Sequence, residues 1–334
     1  MKDKIPTAKL EGQVIRSMRD WLKGANFFEV FPPKIVRASG SCENVDTLFE
    51  VGVDGQLYWF NPRNPHRAYL SQTAQLYLEA LVPYIKIVYS VGPSFRAEEG
   101  NDNRHLTEFT MLEIEFAGNF QQLLEYIEKM IYRVIVDIIS LPAKKRGELN
   151  LDLEDVKRFE KVGPEFPKIT YDEAIKMLDL PFGNDISRKK EQELIEKFDG
   201  QPFFITHFPN PLYDFGKEIE VEKFFNMIPD STNPARVLSA DLILPFGGEV
   251  VGASQRVHKL KELKWRLEKS KMFERLKRKG GGLDDFEWYF ERIREKSIPH
   301  AGCGFGIGRI LKFLRGKEDI KEAITFPSNQ EILI

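Results

Sequence analysis

The fold of this chain is decided by residues 88–118, which read VYSVGPSFRAEEGNDNRHLTEFTMLEIEFAG. Ile85–Val91 is apolar and rich in β-branched side chains, so it predicts a buried strand that ends at Gly92-Pro93. His105–Ala117 returns to that character after a hydrophilic loop and predicts a second strand. We therefore expect a β-hairpin that carries charged side chains near its loop.

The charged side chains of this hairpin suit a nucleotide. Arg96 and Arg104 offer planar forks of donors that match phosphate oxygens, and Glu98 can accept a hydrogen bond from an exocyclic amine. Phe109 offers an aromatic face to a base. A hairpin with solvated charges at its loop explains the same residues without a ligand, and their chemistry alone does not separate the two interpretations.

The composition permits a sizeable core and argues against several classes of protein. The chain has 334 residues, 42% of them hydrophobic, which suffices for one large or two smaller cores. Lysine and arginine number 49 against 51 acidic residues, so no global field directs the protein to nucleic acid or to a membrane. No apolar run reaches the ~18 residues that a spanning helix needs, and the N-terminus lacks a signal-peptide pattern. We expect a cytoplasmic protein without a membrane partner.

Metal-ligand side chains of the zinc type are scarce. The chain has two cysteines, Cys42 and Cys303, and five histidines, which form no zinc-site pattern. A disulfide between the two cysteines stays open, although such low cysteine usage is typical of a reducing compartment.

Three parts of the chain resemble the signature motifs of the class II aminoacyl-tRNA synthetases, and within that class the asparaginyl and aspartyl branch. Phe95–Glu98 together with Arg104–Phe109 resembles motif 2. Ile298–Leu311 resembles motif 3, whose alternating glycines let a strand approach a ligand closely. The amphipathic helix predicted at Ala8–Lys23, followed by Phe27–Val36, resembles motif 1.

The resemblance implies an α+β fold, the class II synthetase catalytic fold, in which helices flank an antiparallel β-sheet. Residues 1–334 are then a single catalytic domain with an insert at about 141–236 between motifs 2 and 3. We expect no anticodon-binding domain, because the chain begins where the catalytic domain of asparaginyl enzymes begins. Motif 1 implies a homodimer. Asn26 stands where close relatives usually carry glycine, and asparagine tolerates the positive φ of such a turn.

The resemblance also implies an ATP site with magnesium. Arg96 would neutralise the α-phosphate as charge builds on it, and Arg309 would hold the γ-phosphate. Glu249 and Asp241 match acidic residues that hold Mg²⁺, a hard cation suited to carboxylates. We therefore expect ATP and Mg²⁺ as cofactors. The implied ATP contacts are Arg96, Glu98, Arg104, His105, Leu106, Phe109, Glu249, Gly306 and Arg309.

An amino-acid pocket is implied beside the ATP site. Glu113 stands where asparaginyl enzymes have glutamate, and it can accept a hydrogen bond from a substrate amide. Leu78 replaces the lysine whose charge would select aspartate. Gln75, implied to contact the substrate α-amino group, and Glu79 could instead be helix-surface residues. The residues implied to bind the amino acid are Glu43, Ser71, Gln75, Glu113 and Arg256.

Three functions are compatible with this pattern. The first is an ATP-dependent ligase like the asparaginyl-tRNA synthetases, which activates asparagine and leaves transfer to the tRNA acceptor end open. The second is a synthetase-derived asparagine synthetase in which ammonia attacks aspartyl-adenylate; the expected absence of an anticodon-binding domain favours it. The third is a non-catalytic paralogue, and the full set of nucleotide contacts counts against it. Leu78, Glu113 and Arg256 favour the first.

A strongly basic segment lies between the motifs. Residues 258–279 contain ten lysines or arginines against three glutamates, with leucines at helical spacing. A solvated helix face is the ordinary explanation of such a segment, and an RNA-phosphate contact is the alternative.

Overall fold

The predicted hairpin lies inside the larger of two β-sheets. The computed structural model describes residues 2–38, 44–57, 59–60, 67–99 and 102–333. The strands are β1 (Phe28–Glu29), β2 (Ile35–Val36), β3 (Glu50–Val51), β4 (Ala68–Leu70), β5 (Ile87–Phe95), β6 (Glu108–Phe116), β7 (Lys168–Thr170), β8 (Phe203–Thr206), β9 (Ser239–Leu244), β10 (Gly248–Gln255) and β11 (Ala301–Gly306). The α-helices are α1 (Ile5–Gly24), α2 (Gln75–Ile85), α3 (Phe120–Ile139), α4 (Ala143–Glu148), α5 (Leu153–Glu160), α6 (Tyr171–Met177), α7 (Arg188–Lys197), α8 (Leu260–Lys269), α9 (Lys271–Arg278), α10 (Glu287–Glu295), α11 (Ile307–Arg315) and α12 (Ile320–Ala323).

The larger sheet has eight strands in the order β1-β5-β6-β11-β10-β9-β8-β7. All neighbours from β5 to β8 are antiparallel, whereas β1 and β7 join the two edges in parallel. A small sheet has the order β2-β4-β3. The predicted α+β fold with an antiparallel sheet and flanking helices is confirmed.

The first strand of the hairpin is longer than the sequence predicts. β5 continues through Gly92-Pro93 to Phe95 instead of ending at the proline. Proline lacks an N–H, so it fits a strand only where no neighbour needs that donor. Tyr89 accepts from Val30, and Phe95 donates to Ser71, on the side of β5 away from β6. The alternation of a strand points the Pro93 nitrogen to that same side, where β1 pairs only as far as Tyr89.

The core lies on one face of the large sheet, under α1 and α3. The helices bury apolar stripes at helical spacing, such as Leu10, Val14 and Met18 of α1, in one cluster with Leu112 and Phe116 of β6. Because side chains alternate along a strand, the intervening residues of β6 point to the opposite face. That opposite face carries the polar site.

Several local predictions are confirmed in the helices and turns. Asn26 follows α1 with a φ of 61°, the left-handed conformation expected for the turn. Thr170 and Glu173 form the expected reciprocal cap at the start of α6. The basic segment 258–279 is two helices, since Ser270 ends α8 and caps α9. The predicted insert supplies α4–α7, β7 and β8.

Across the described residues, each helix is too short or too polar to cross a bilayer.

Candidate active site

The hairpin, β9, β10 and β11 open onto one cavity of about 710 Å³. The structure brings most of the predicted site residues to its wall. Two are exceptions: Glu43 lies outside the described residues, and Ser71 does not line the cavity. The predicted residues that do line it are Gln75, Arg96, Glu98, Arg104, His105, Leu106, Phe109, Glu113, Asp241, Glu249, Arg256, Gly306 and Arg309.

Ser71 takes part in the backbone network behind the wall. Its N–H donates to the carbonyl of Lys34, and its carbonyl accepts from the N–H of Phe95. Its side chain is buried. Ser71 therefore ties the small sheet to the end of β5, and the predicted contact with the amino acid is not supported by its position.

Three arginines converge at one end of the cavity. Arg309, at the start of α11, donates to the Glu249 carbonyl at 2.5 Å. Arg104 pairs with Glu191 of α7 at 2.9 Å. The guanidinium of Arg96 lies 5.3 Å from the centre of the Phe109 ring, close enough for a cation–π contact. This clustering of positive charge in a concave site suits a polyphosphate.

The carboxylate of Glu249 is held ionised among these cations. Burial alone would raise its pKa, but Lys223 and the three arginines lower the pKa of Glu249 below its ordinary value. Burial lowers the pKa of Arg309, and Glu249 opposes that change. Glu249 is thus a charged oxygen donor beside the phosphate end of the cavity.

Asp241, the second predicted metal ligand, already has a cationic partner. The ammonium nitrogen of Lys223 lies 2.8 Å and 2.6 Å from its two carboxylate oxygens. Burial, opposed by Lys223 and assisted by the charge of Glu249, raises the pKa of Asp241 to about 7. Among the described residues, no group of three or more His, Cys, Asp or Glu side chains is arranged to hold a metal ion. Glu249 fits Mg²⁺ that is also bound by phosphates, whereas Asp241 fits it only if Lys223 moves.

Near the hairpin loop, His105 is oriented by a neighbouring carboxylate. Its Nδ1 lies 2.6 Å from Asp102, and its Nε2 lies 3.6 Å from Glu98. Glu98 also lies 3.9 Å from the Arg96 guanidinium. The adenine and phosphate residues predicted from the hairpin therefore form a continuous charged surface along one wall.

The other end of the cavity is built on β6 and the start of α2. Glu113 is almost fully buried and accepts from the Ala74 N–H at 2.7 Å and from the Thr73 hydroxyl. It thereby caps α2, the helix that carries Gln75. Each carboxylate oxygen of Glu113 has two lone pairs, so one oxygen can accept more than one hydrogen bond. Leu78 lines the same region, which contains the predicted carboxamide pocket.

Arg256 lies on the floor of this pocket in a fixed orientation. Its Nε and Nη2 donate to one oxygen of Glu115 at 3.0 Å and 2.8 Å, and its Nη1 donates to Ser254. Gly302 faces Glu115 across the sheet, and a Cβ there would overlap the Glu115 carboxylate. At this position the glycine of motif 3 accommodates a neighbouring side chain, in addition to any ligand.

The sequence interpretation missed several buried polar residues beneath the pocket. The alternative that Glu79 lies on a helix surface is wrong, because its side chain is fully buried. Two signals were available: Glu79 is four residues after Gln75 on α2, and Glu115 is two residues after Glu113 on β6. The other members come from distant segments and carry no such signal. They are Asn226, Tyr289 and His300.

Comparison with known proteins defines the class. A family model described as tRNA synthetases class II (D, K and N) matches residues 3–330. The chain therefore belongs to the class II tRNA synthetases, a family of ATP-dependent ligases.

Its relatives narrow the similarity to one branch. An asparagine--tRNA ligase of Thermococcus gammatolerans is 33% identical over 326 residues, which cover 96% of this chain and 68% of that protein. The asparaginyl-tRNA synthetase of Pyrococcus horikoshii, solved with asparaginyl-adenylate, aligns with a TM-score of 0.82 and 32% identity over 99% of this chain and 70% of its own. The Entamoeba histolytica asparaginyl-tRNA synthetase, also solved with asparaginyl-adenylate, gives a TM-score of 0.77 at 27% identity over 98% of this chain and 68% of its own.

Proposed function

We propose that this protein activates asparagine with ATP, forming asparaginyl-adenylate and pyrophosphate. The observation that carries the proposal is the pairing of Glu113 and Arg256 in one cavity with the phosphate-end arginines. A carboxamide needs an acceptor for its NH₂ and a donor for its oxygen, and these two residues offer one of each. Leu78 supplies no positive charge that would favour a carboxylate. The similarity to asparaginyl enzymes solved with their adenylate supports the same substrate.

The chemistry is an in-line attack of the asparagine α-carboxylate on the α-phosphorus of ATP, with pyrophosphate leaving. Such a reaction is accelerated chiefly by positioning and by neutralising charge on the phosphoryl group. We assign Arg96 to the α-phosphate and Arg309, with Arg104 and His105, to the γ-phosphate. Glu98 and Phe109 hold the adenine, and Gln75 holds the substrate α-amino group.

Magnesium is assigned to this site through Glu249. When bound, Mg²⁺ would neutralise charge on the phosphates. The ionised Glu249 carboxylate is the oxygen ligand that the chain itself offers, and the surrounding arginines keep it charged. The Lys223 ammonium, which forms an ion pair with Asp241, supplies a further fixed positive charge in the same cavity.

A homodimer through motif 1 is also part of the proposal. Phe28, Phe31 and Ile35 are 63%, 82% and 49% exposed, and they lie around β1, the edge strand of the large sheet. Clustered exposed apolar side chains at a sheet edge are typical of a protein interface. Transfer of the asparaginyl group to the acceptor end of a tRNA would follow activation.

The test is ATP–pyrophosphate exchange with asparagine and aspartate measured side by side on the whole chain. We expect exchange with asparagine and at most weak exchange with aspartate. The assay is then repeated with tRNA to detect aminoacylation, and with aspartate plus ammonium to detect asparagine and AMP. Formation of asparagine and AMP from aspartate plus ammonium would overturn the proposal in favour of an asparagine synthetase.

A further inference from the structure

A buried carboxylate, Glu79, links the two ends of the amino-acid pocket from below. Its Oε1 accepts from Gln75 at 2.7 Å and from Asn226 at 2.7 Å. Its Oε2 accepts from the Tyr289 hydroxyl at 2.5 Å and contacts His300 Nε2 at 3.2 Å. Glu79 is fully buried and does not line the cavity, so it acts on a substrate only through its neighbours.

Glu79 also faces the side-chain-reading arginine. The Nε of Arg256 lies 3.9 Å from Glu79 Oε1, and the other side of the guanidinium is held by Glu115. Glu79 thus contacts both Gln75, assigned to the substrate α-amino group, and Arg256, assigned to the substrate side chain.

The ionisable groups beneath the pocket balance in charge. Burial opposes ionisation of Glu79, but its bond to His300 and the charges of His300 and Arg256 lower the pKa of Glu79 to about 2. Burial raises the pKa of Glu115 to about 7. The pKa of His300 is raised by Glu79 and Glu115 despite burial. Arg256 lies 2.8 Å from Glu115, and His300 lies 3.2 Å from Glu79. When all four groups are ionised, their charges sum to zero, and Glu79 contributes one of the two negative charges.

The remaining groups around this cluster do not change the balance. Burial raises the pKa of the Tyr289 hydroxyl and of the Cys303 thiol well above their ordinary values, so both stay neutral. Lys34 and Glu113 interact as opposite charges on the far side of the pocket. A pocket floor with a guanidinium donor but no net charge is the environment that suits a neutral carboxamide.

We propose that Glu79 is a specificity-determining residue, which favours asparagine over aspartate by keeping the pocket floor around Arg256 free of net charge. The inference rests on the proposed activation of asparagine. Without the Glu79 charge, the pocket floor that contains Arg256, His300 and Glu115 would carry a net positive charge that attracts the aspartate carboxylate.

The experiment compares wild type with Glu79→Gln, which preserves shape and removes the charge. In asparagine-dependent ATP–pyrophosphate exchange, we measure kcat/KM for asparagine and the inhibition constant of aspartate. We expect the preference for asparagine over aspartate to narrow by about tenfold, equivalent to about 1.4 kcal/mol, through tighter binding of aspartate. Folding is checked by circular dichroism; if Glu79→Gln does not fold, Glu115→Gln replaces it with the same expected direction.

The matched control is Tyr289→Phe, which removes one hydrogen bond to Glu79 without changing any charge. We expect the preference of Tyr289→Phe for asparagine over aspartate to stay within about twofold of the wild-type value, well below the tenfold change expected for Glu79→Gln. An unchanged preference in the glutamine variant, or an equal narrowing in Tyr289→Phe, would overturn the inference. The wild-type exchange with asparagine tests the proposed function separately, because it does not depend on either variant.

Discussion

Lys223 places its ammonium nitrogen 2.6 Å from Oδ2 and 2.8 Å from Oδ1 of Asp241, inside the cavity that we assign to the phosphates. The same nitrogen lies 3.7 Å from the centre of the Phe208 ring, so the Asp241 carboxylate and this ring together fix its position. A positive charge of the protein is therefore paired with Asp241, one of the two carboxylates that the sequence assigns to magnesium. Burial opposes the charge of Lys223, but Asp241 and Glu249 raise its pKa above the ordinary value. The ammonium therefore stays charged.

Replacing Lys223 should show how much its ion pair with Asp241 contributes to stability and how far it blocks Mg²⁺. Lys223→Met leaves Asp241 buried without its cation, which we expect to lower the free energy of unfolding by about 3 kcal/mol. Mg²⁺ should restore part of that loss, because the two carboxylates become available to it. Urea unfolding with and without Mg²⁺ measures both effects. The exposed Lys217 provides the control, Lys217→Met, and equal stability of the two variants would contradict the prediction.

The Arg104–Glu191 pair predicts a competition with ATP. The pair is short, at 2.9 Å, and burial raises the pKa of Glu191. If Arg104 holds the γ-phosphate, Glu191→Gln frees it and should lower the KM for ATP by about fivefold, equivalent to about 1 kcal/mol. The KM is measured by pyrophosphate exchange over a range of ATP concentrations. Glu193→Gln, on the same helix but paired with Lys190, should leave the KM unchanged.

Arg96 should be needed for chemistry but not for folding. Loss of a contact made in the transition state typically costs ~3 kcal/mol, so Arg96→Ala should reduce pyrophosphate exchange by about a hundredfold. Circular dichroism and the melting temperature should match the wild type. Arg188→Ala removes an exposed arginine that pairs with Glu318, and it serves as the control. Near-normal exchange in Arg96→Ala would rule out the role assigned to this arginine.

Glu79 should give the protein a defined sensitivity to acid. Its folded-state pKa of about 2 lies below the ordinary value of 4.5. Stability from the ionised carboxylate is therefore complete above about pH 4.5 and is lost as the pH falls toward 2, with a total on the order of 3 kcal/mol. Urea unfolding from about pH 5 to about pH 2.5 should show a shallower decline for Glu79→Gln than for wild type. Parallel declines would contradict this assignment.

The apolar surface around β1 predicts the oligomeric state. Phe31, at 82% exposure, should be buried between two copies of the chain. Phe31→Asp places a charge in that interface, which we expect to raise the dimer dissociation constant by more than about tenfold. Sedimentation velocity over a range of concentrations measures the change. Leu153→Asp alters another highly exposed apolar residue, 72% exposed on α5, and this variant should sediment as the wild type does.

The local features of this fold could be predicted from sequence because neighbouring residues determine them. The period of two along β6 separates the core residue Leu112 from Glu113, and the helical period marks the buried stripe of α1. The capping pair of Thr170 and Glu173 is equally local. The continuation of β5 through Pro93 was not predicted, because it depends on how far β1 pairs along the other edge.

The candidate site divides in the same way. The sequence by itself determined which residues we predict to bind phosphate and amide groups, since they lie in segments that resemble the motifs of class II synthetases. Only the tertiary structure decided how those residues are charged and held. Glu79 meets His300 across 221 positions, and Arg104 meets Glu191 across 87. Such contacts depend on the assembled sheet and on burial, which shifts the energy of every ionised group, and no local pattern encodes either.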